Sequence, residues 1–246
     1  SGLGEGTGAQ QSVLITGASR GIGLALARSF SEAGWRVAVC ARSEQSLAAT
    51  PAEFRAACDV SDRDQVRRYV DAVGARFGTI TAVINNAGIA GENPLGSGTS
   101  DELWDQIISV NLNGTYLVSK AALSYLPDGD GRIINIASVL AQRGVPDQTA
   151  YCAAKHGVLG FTRALAHTLA SRRITVNALC PGWVRTEMAE QRWRELGWTA
   201  ERAERDSLLG RVIEPDEVAA LAFYLASPAA RNITGQALTL DGGSNA

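Results

Sequence analysis

Histidine is scarce in this chain, at two residues, and the four cysteines (Cys40, Cys58, Cys152 and Cys180) stand far apart with no C-x-x-C pair. A transition-metal centre needs imidazoles or thiolates at short spacing, so a metal is not expected. His156 and His167 are eleven residues apart without an acidic partner at ligand spacing, and both are read as structural. Cys152 has no His-based arrangement to activate it as a nucleophile. A basic excess is also missing: the formal net charge is -2 and the arginines are scattered, which excludes a general nucleic-acid binder. No apolar run approaches the roughly 18 to 20 residues that span a bilayer, and the start of the sequence has neither a basic nor an apolar leader segment. The expectation is a soluble, cytoplasmic protein with reduced thiols and no membrane partner.

What is present is an ordinary globular composition, 46% apolar and 20% charged over 246 residues, enough for one large α/β domain. Ser1 to Gln11 is small and polar without periodicity and reads as a flexible tail, leaving residues 12–246 as the domain. Apolar β-branched runs alternate there with helical patterns, the mark of βαβ units around a parallel sheet covered on both faces. Strands are expected at Ser12 to Thr16, Arg36 to Cys40, Glu53 to Cys58, Thr81 to Asn85, Arg132 to Ala137, Thr175 to Cys180 and Gln236 to Leu240. Helices are expected to begin near Gly21, Ser61, Ser100, Ala150 and Pro215. The interval Gln45 to Ala52 is too short for a full helix, so the second crossover should be abbreviated. The result is a doubly wound, Rossmann-type α/β fold with seven parallel strands in a single domain. One excursion, Trp183 to Arg211, leaves the carboxyl end of a strand and reads as a substrate lid. The alternative is a surface helical hairpin whose Trp193 and Trp198 pack on the core.

Val13-Leu14-Ile15-Thr16 runs into Gly17-Ala18-Ser19-Arg20-Gly21-Ile22-Gly23, and a helical pattern follows. This strand, glycine turn and helix are the context of a dinucleotide site, in which backbone N–H groups meet a pyrophosphate. The second strand ends in Cys40-Ala41-Arg42-Ser43, without the carboxylate that would accept from the ribose 2'-hydroxyl of NAD. With Arg20 and Arg42 as cations for a 2'-phosphate, NADP(H) is the expected cofactor in preference to NAD(H). Tyr151 and Lys155 lie four apart and share a helix face, with Ser138 upstream. An ammonium beside the phenol would favour phenolate and bring the Tyr toward a proton-transfer role. The serine could then hydrogen-bond a carbonyl oxygen.

Together with Asn85-Asn86-Ala87-Gly88, Asn111 in Ser-Val-Asn-Leu and Pro181-Gly182, this ordered set resembles the short-chain dehydrogenase/reductases from Ser12 to Asn245. Within them it is most similar to the 3-oxoacyl-acyl-carrier-protein reductases and the aromatic polyketide ketoreductases. The resemblance implies that Tyr151 is the general acid in reduction, Ser138 polarises the carbonyl, Lys155 lowers the Tyr pKa and binds the nicotinamide ribose, and Asn111 keeps a relay water. Gly17, Ser19, Gly21, Ile22 and Gly23 fall at the phosphates, with Arg20 and Arg42 at the 2'-phosphate. Asp59 with Val60, and Asn86, Ala87 and Gly88, fall at the adenosine, and Pro181, Gly182, Val184 and Thr186 at the nicotinamide. It also implies a homotetramer and a ketone or alcohol substrate, free or bound to an acyl carrier protein. The Pro-Gly-Gly common in polyketide ketoreductases is absent from Ile89-Ala90-Gly91, and Val139-Leu140 replaces a glycine pair after Ser138. A small cyclic or aromatic ketone, or oxidation of a secondary alcohol, therefore stays open beside a β-keto or polyketide-like substrate. A nucleotide sensor without turnover is a further alternative, against which the intact Ser138, Tyr151 and Lys155 stand.

Overall fold

The computed structural model describes residues 10–96 and 98–246; most of the expected tail, residues 1–9, lies outside the described residues. Gln10 and Gln11 are tied down, since Arg36 N–H donates to the Gln11 carbonyl and the Gln10 amide donates to the carbonyl of Gly34.

In chain order the elements are β1 (Ser12–Thr16), α1 (Gly21–Glu32), β2 (Arg36–Ala41), β3 (Phe54–Ala57), α2 (Arg63–Phe77), β4 (Ala82–Asn85), α3 (Asp101–Ile108), α4 (Gly114–Ala122), β5 (Arg132–Ile136), α5 (Thr149–Leu169), β6 (Thr175–Pro181), α6 (Glu187–Glu195), α7 (Ala200–Glu204), α8 (Pro215–Ala226) and β7 (Ala237–Leu240). The strands form one parallel sheet in the order β3-β2-β1-β4-β5-β6-β7, with Val13 opposite Val37 and Leu14 opposite Val83. Successive side chains of a strand point to opposite faces, and here both faces are covered. Val13 and Ile15 enter a core with Leu26, Phe30 and Val218 of α1 and α8, while Leu14 joins Val66, Val70 and Val118 of α2 and α4. Burial on both sides explains why β1 reads as an unbroken apolar run rather than an alternation.

Strand order reverses between β1 and β4, and such a switch point opens a crevice at the carboxyl ends of the strands. The expected strands all form, with no end shifted by more than one residue. The second crossover is abbreviated to one 3-10 turn at Gln45–Leu47. The helix expected near Ser61 begins at Arg63, because Asp62 is the residue whose carboxylate accepts from the N–H groups of Asp64 and Gln65. The single helix expected from Ser100 is interrupted by a π turn, Ser109–Asn113, between α3 and α4.

The excursion after β6 folds into α6 and α7 around its own small core. Trp183 meets Trp193 and Trp198 edge-on, with ring centroids 5.9 and 6.0 Å apart, and Ala189, Ala203 and Val212 fill in beside them. The tryptophans thus pack on one another within the excursion, instead of on the cores that flank the sheet. Among the described residues no helix is long and apolar enough to cross a membrane.

Candidate active site

The glycine turn begins where β1 ends. Gly17 has φ +66, and a Cβ there would fall 2.7 Å from the Ala87 Cα, so only glycine lets this turn lie against the loop after β4. A Cβ on Gly23 would stand 2.2 Å from the Gly17 carbonyl oxygen, which requires glycine where α1 passes beneath the turn. Thr16 Oγ1 accepts from the N–H groups of Asn86 and Ala87, and the Asn86 amide donates to the carbonyls of Thr16 and Gly17. Asn86 therefore fastens the two loops that border the switch point. Arg20 occupies the cap position of α1 without a side-chain cap, and no acidic residue lies in the first helical turn. The free N–H groups and positive end of α1, beside a cradle that side chains would fill, fit a dinucleotide pyrophosphate.

Tyr151 sits in the first turns of α5 and Ser138 just beyond β5. The Leu140 N–H donates to Ser138 Oγ at 3.1 Å, which fixes the hydroxyl oxygen and leaves its own proton to be donated. Lys155 is buried, donates to the Ile136 carbonyl at 2.8 Å, and lies 5.5 Å from the centroid of the Tyr151 ring. Burial lowers the ammonium to about 8, and it pushes the Tyr151 phenol up to about 12, with hydrogen bonding to Ser138 acting in the opposite sense. Desolvation is the largest influence on the phenol, and the ammonium faces the ring and a carbonyl. Burial also raises the nearby Cys180 thiol to about 11, while Lys155 pulls it down.

Asn111 reaches the site through the π turn, whose wider spacing re-aims a side chain within an otherwise regular helix. Its Oδ1 accepts from the Ile89 N–H and its Nδ2 donates to the Ile89 carbonyl, both at 2.8 Å. A Cβ on Gly88 would lie 3.3 Å from Asn111 Oδ1 and 3.7 Å from Lys155 Nζ, so Gly88 is where these two side chains converge.

The remaining expected residues line the same edge of the sheet. Arg42 is exposed past β2 and holds no ion pair among the described residues. Arg20, expected at the 2'-phosphate, is exposed and donates to Glu187 on α6 at 2.7 Å. Asp59 Oδ1 accepts from the Ser61 N–H and hydroxyl, and Val60 packs where a Gly114 side chain would be. Ser19 and Ile22 are half-buried around the turn. Pro181 ends β6, and the Gly182 N–H donates to Leu240. Val184 is buried in a bridge with Ile213, while Thr186 caps α6 and rests its methyl near Gly21.

Two features escaped the sequence reading. The π turn has no simple compositional mark. The second is a buried polar ladder in which the Asn85 amide donates to Ser119 Oγ and Asn135 Oδ1, and the Asn135 amide donates to Thr162 Oγ1. It ties β4 and β5 to α4 and α5. Asparagines inside the apolar runs Ala-Val-Ile-Asn and Ile-Ile-Asn-Ile were its signal.

A family model described as enoyl-(acyl carrier protein) reductase matches residues 17–245. The chain belongs to the short-chain dehydrogenase/reductase family. It is 42% identical to a Streptomyces violaceoruber protein provisionally named granaticin polyketide synthase ketoacyl reductase 1, over 97% of this chain and 94% of that one. It is 36% identical to the 3-oxoacyl-[acyl-carrier-protein] reductase FabG of Thermotoga maritima, over 94% and 96% of the two chains. Among solved structures, a phenylalanine-to-tryptophan variant of actinorhodin polyketide ketoreductase with NADPH superimposes with a TM-score of 0.89 at 38% identity, covering 96% of this chain and 98% of that chain.

Proposed function

We propose that this protein is an NADPH-dependent ketoreductase that reduces a ketone to a secondary alcohol. The observation that carries this reading is the convergence of Ser138, Tyr151 and Lys155 beside the uncapped glycine turn at the switch point. Its relatives are named as ketoacyl and 3-oxoacyl reductases, and the actinorhodin enzyme was solved with NADPH.

Each side chain has a task that follows from its surroundings. With the phenol at about 12, Tyr151 is protonated at neutral pH and is a donor to the carbonyl oxygen. Ser138, its oxygen held by Leu140, donates its hydroxyl proton to that same oxygen and positions the carbonyl. Lys155, about nine-tenths charged at pH 7 given a value near 8, supports the charge that develops on Tyr151 as its proton leaves, and would hold the nicotinamide ribose. Asn111 fixes the Gly88–Ile89 segment against the π turn, and so positions Lys155's neighbourhood. NADPH supplies the hydride; the protein supplies binding, orientation and the proton. Gly17 to Gly23 would hold the pyrophosphate and the exposed Arg42 the 2'-phosphate.

The substrate class is a β-keto, polyketide-like or compact cyclic or aromatic ketone, free or carrier-bound. A homotetramer is supported by half-exposed Trp104 and Tyr116 on α3 and α4, with Tyr116 meeting Phe161 of α5 edge-on. Four free, buried thiols suit the cytoplasm. The test is NADPH consumption across a ketone panel, the reverse reaction on the matching alcohols, and separate titration of NADPH binding. Turnover of a ketone sustains the reading. Binding with no turnover in either direction would favour a nucleotide sensor.

A further inference from the structure

Arg192, on α6, takes no part in the chemistry above, yet it is more than nine-tenths buried. Its guanidinium meets Asp147, Glu92 at 3.5 Å and Glu195 at 2.9 Å. Glu195 is on the same helix. The other two belong to the segments that frame the catalytic residues: Asp147 is four residues before Tyr151, and Glu92 is four after Gly88. Those segments are already stitched together. The Asn93 N–H donates to the Asp147 carbonyl at 2.8 Å, Thr149 Oγ1 donates to the Asn93 carbonyl at 2.6 Å, and Asn93 bridges to Gln148. Among the described residues, Arg192 is the only side chain of the excursion that ion-pairs with either segment. At its other end α6 rests on the glycine turn, through Thr186 against Gly21 and Glu187 with Arg20. The helix therefore runs from the glycine turn to the two segments that carry Glu92 and Asp147, the latter leading into Tyr151.

We propose that Arg192 is a positioning and specificity-determining residue that clamps α6 over the substrate mouth by pairing with Asp147 and Glu92. The substrate half of this inference rests on the ketoreductase reading; the clamp itself does not. A buried guanidinium is tolerable only while its carboxylates stay with it, so α6 leaves the rim by separating these charges and letting water solvate them. The clamp is also incomplete, because Arg192 Nε is buried without a partner. That missing hydrogen bond weakens the closed state and suits a lid that must open on each turnover. A closed rim accepts a compact ketone, whereas a bulky one has to displace the clamp.

The test compares wild type with Arg192→Met and Asp147→Asn, first by hydrogen exchange with NADPH bound. Backbone amides of residues 187–204 are expected to exchange about tenfold faster in both variants, with α1 and α8 unchanged. In steady-state kinetics, KM for cyclohexanone should rise about fivefold with kcat little altered, and the kcat/KM ratio of tetrahydrophenanthrenone to cyclohexanone should rise about as much. Wild-type exchange rates in the lid of both variants would overturn the clamp, and an unchanged ratio would overturn its role in specificity. If wild type reduces neither ketone nor any other of the panel, the ketoreductase reading fails, and with it the specificity role, while exchange still decides the clamp. Should Arg192→Met not fold, Asp147→Asn, which keeps the side chain's shape, decides alone.

Discussion

The Lys155 ammonium faces the Tyr151 ring at 5.5 Å from its centroid while donating its hydrogen bond to the Ile136 carbonyl. On the proposed chemistry this pair is a neutral proton donor backed by a nearby charge, which suits a phenol that gives up its proton only as a carbonyl oxygen begins to take on charge.

Removing that proton isolates its contribution. Tyr151→Phe keeps the ring and its packing, so NADPH affinity should stay within a few-fold of wild type. General acid catalysis contributes about 10² to 10⁴ in rate, so kcat should fall at least a hundredfold. Near wild-type kcat on a confirmed substrate would mean that water or another residue is the acid.

Lys155 makes stability depend on pH with a definite sign. Its value is lowered from 10.5 to about 8 by burial, so between those limits the unfolded chain keeps a proton that the native protein gives up. Stability gained from this group therefore rises as pH increases from 8 toward 10.5, by up to about 3 kcal/mol. Tyr151, raised from 10 to about 12, acts oppositely, and only above pH 10. Urea denaturation of wild type and Lys155→Met at pH 7 and pH 10 should show wild type gaining relative to the variant at the higher pH. A constant difference would show that Lys155 is not desolvated in this way.

Arg42 is the exposed cation at the end of β2. Arg42→Asp should shift preference toward NADH, since losing a charge-assisted contact costs on the order of 1.5 to 3 kcal/mol, a ten- to hundredfold loss of NADPH selectivity. Paired kinetics with both cofactors would decide it. Wild type preferring NADH would refute the assignment.

Trp104 and Tyr116 leave aromatic surface on α3 and α4 half uncovered. If this face closes a symmetric assembly, wild type should sediment as a tetramer and Tyr116→Glu as a smaller species at micromolar concentration. A wild-type monomer under those conditions would contradict the tetramer.

Much of the fold was legible because its signals are local. The apolar run Val13-Leu14-Ile15, the glycine turn and the helix after it are adjacent in sequence, and β1, Gly17 and α1 follow in that order. The four-residue spacing put Tyr151 and Lys155 on one helix, α5. Electrostatics were harder to read: spacing brings the ammonium near the phenol but says nothing of the burial that sends Tyr151 upward and Lys155 downward. The pairing of Arg20 with Glu187 and of Arg192 with Asp147 joins residues remote in sequence, which only the folded excursion brings together.

The π turn at Ser109–Asn113 has a consequence for anyone redesigning the chain. It acts as a one-residue insertion inside a long helix, and deleting a residue there would restore regular helical spacing on paper. The π turn takes up that extra residue locally, so the repair would return Asn111 to the regular helical direction and carry its amide off the Ile89 backbone, since each residue advances an α-helix by about 100°. Grafts, loop exchanges and circular permutations of this protein should therefore keep the length from Asp101 to Ala122 unchanged, even where they replace its residues.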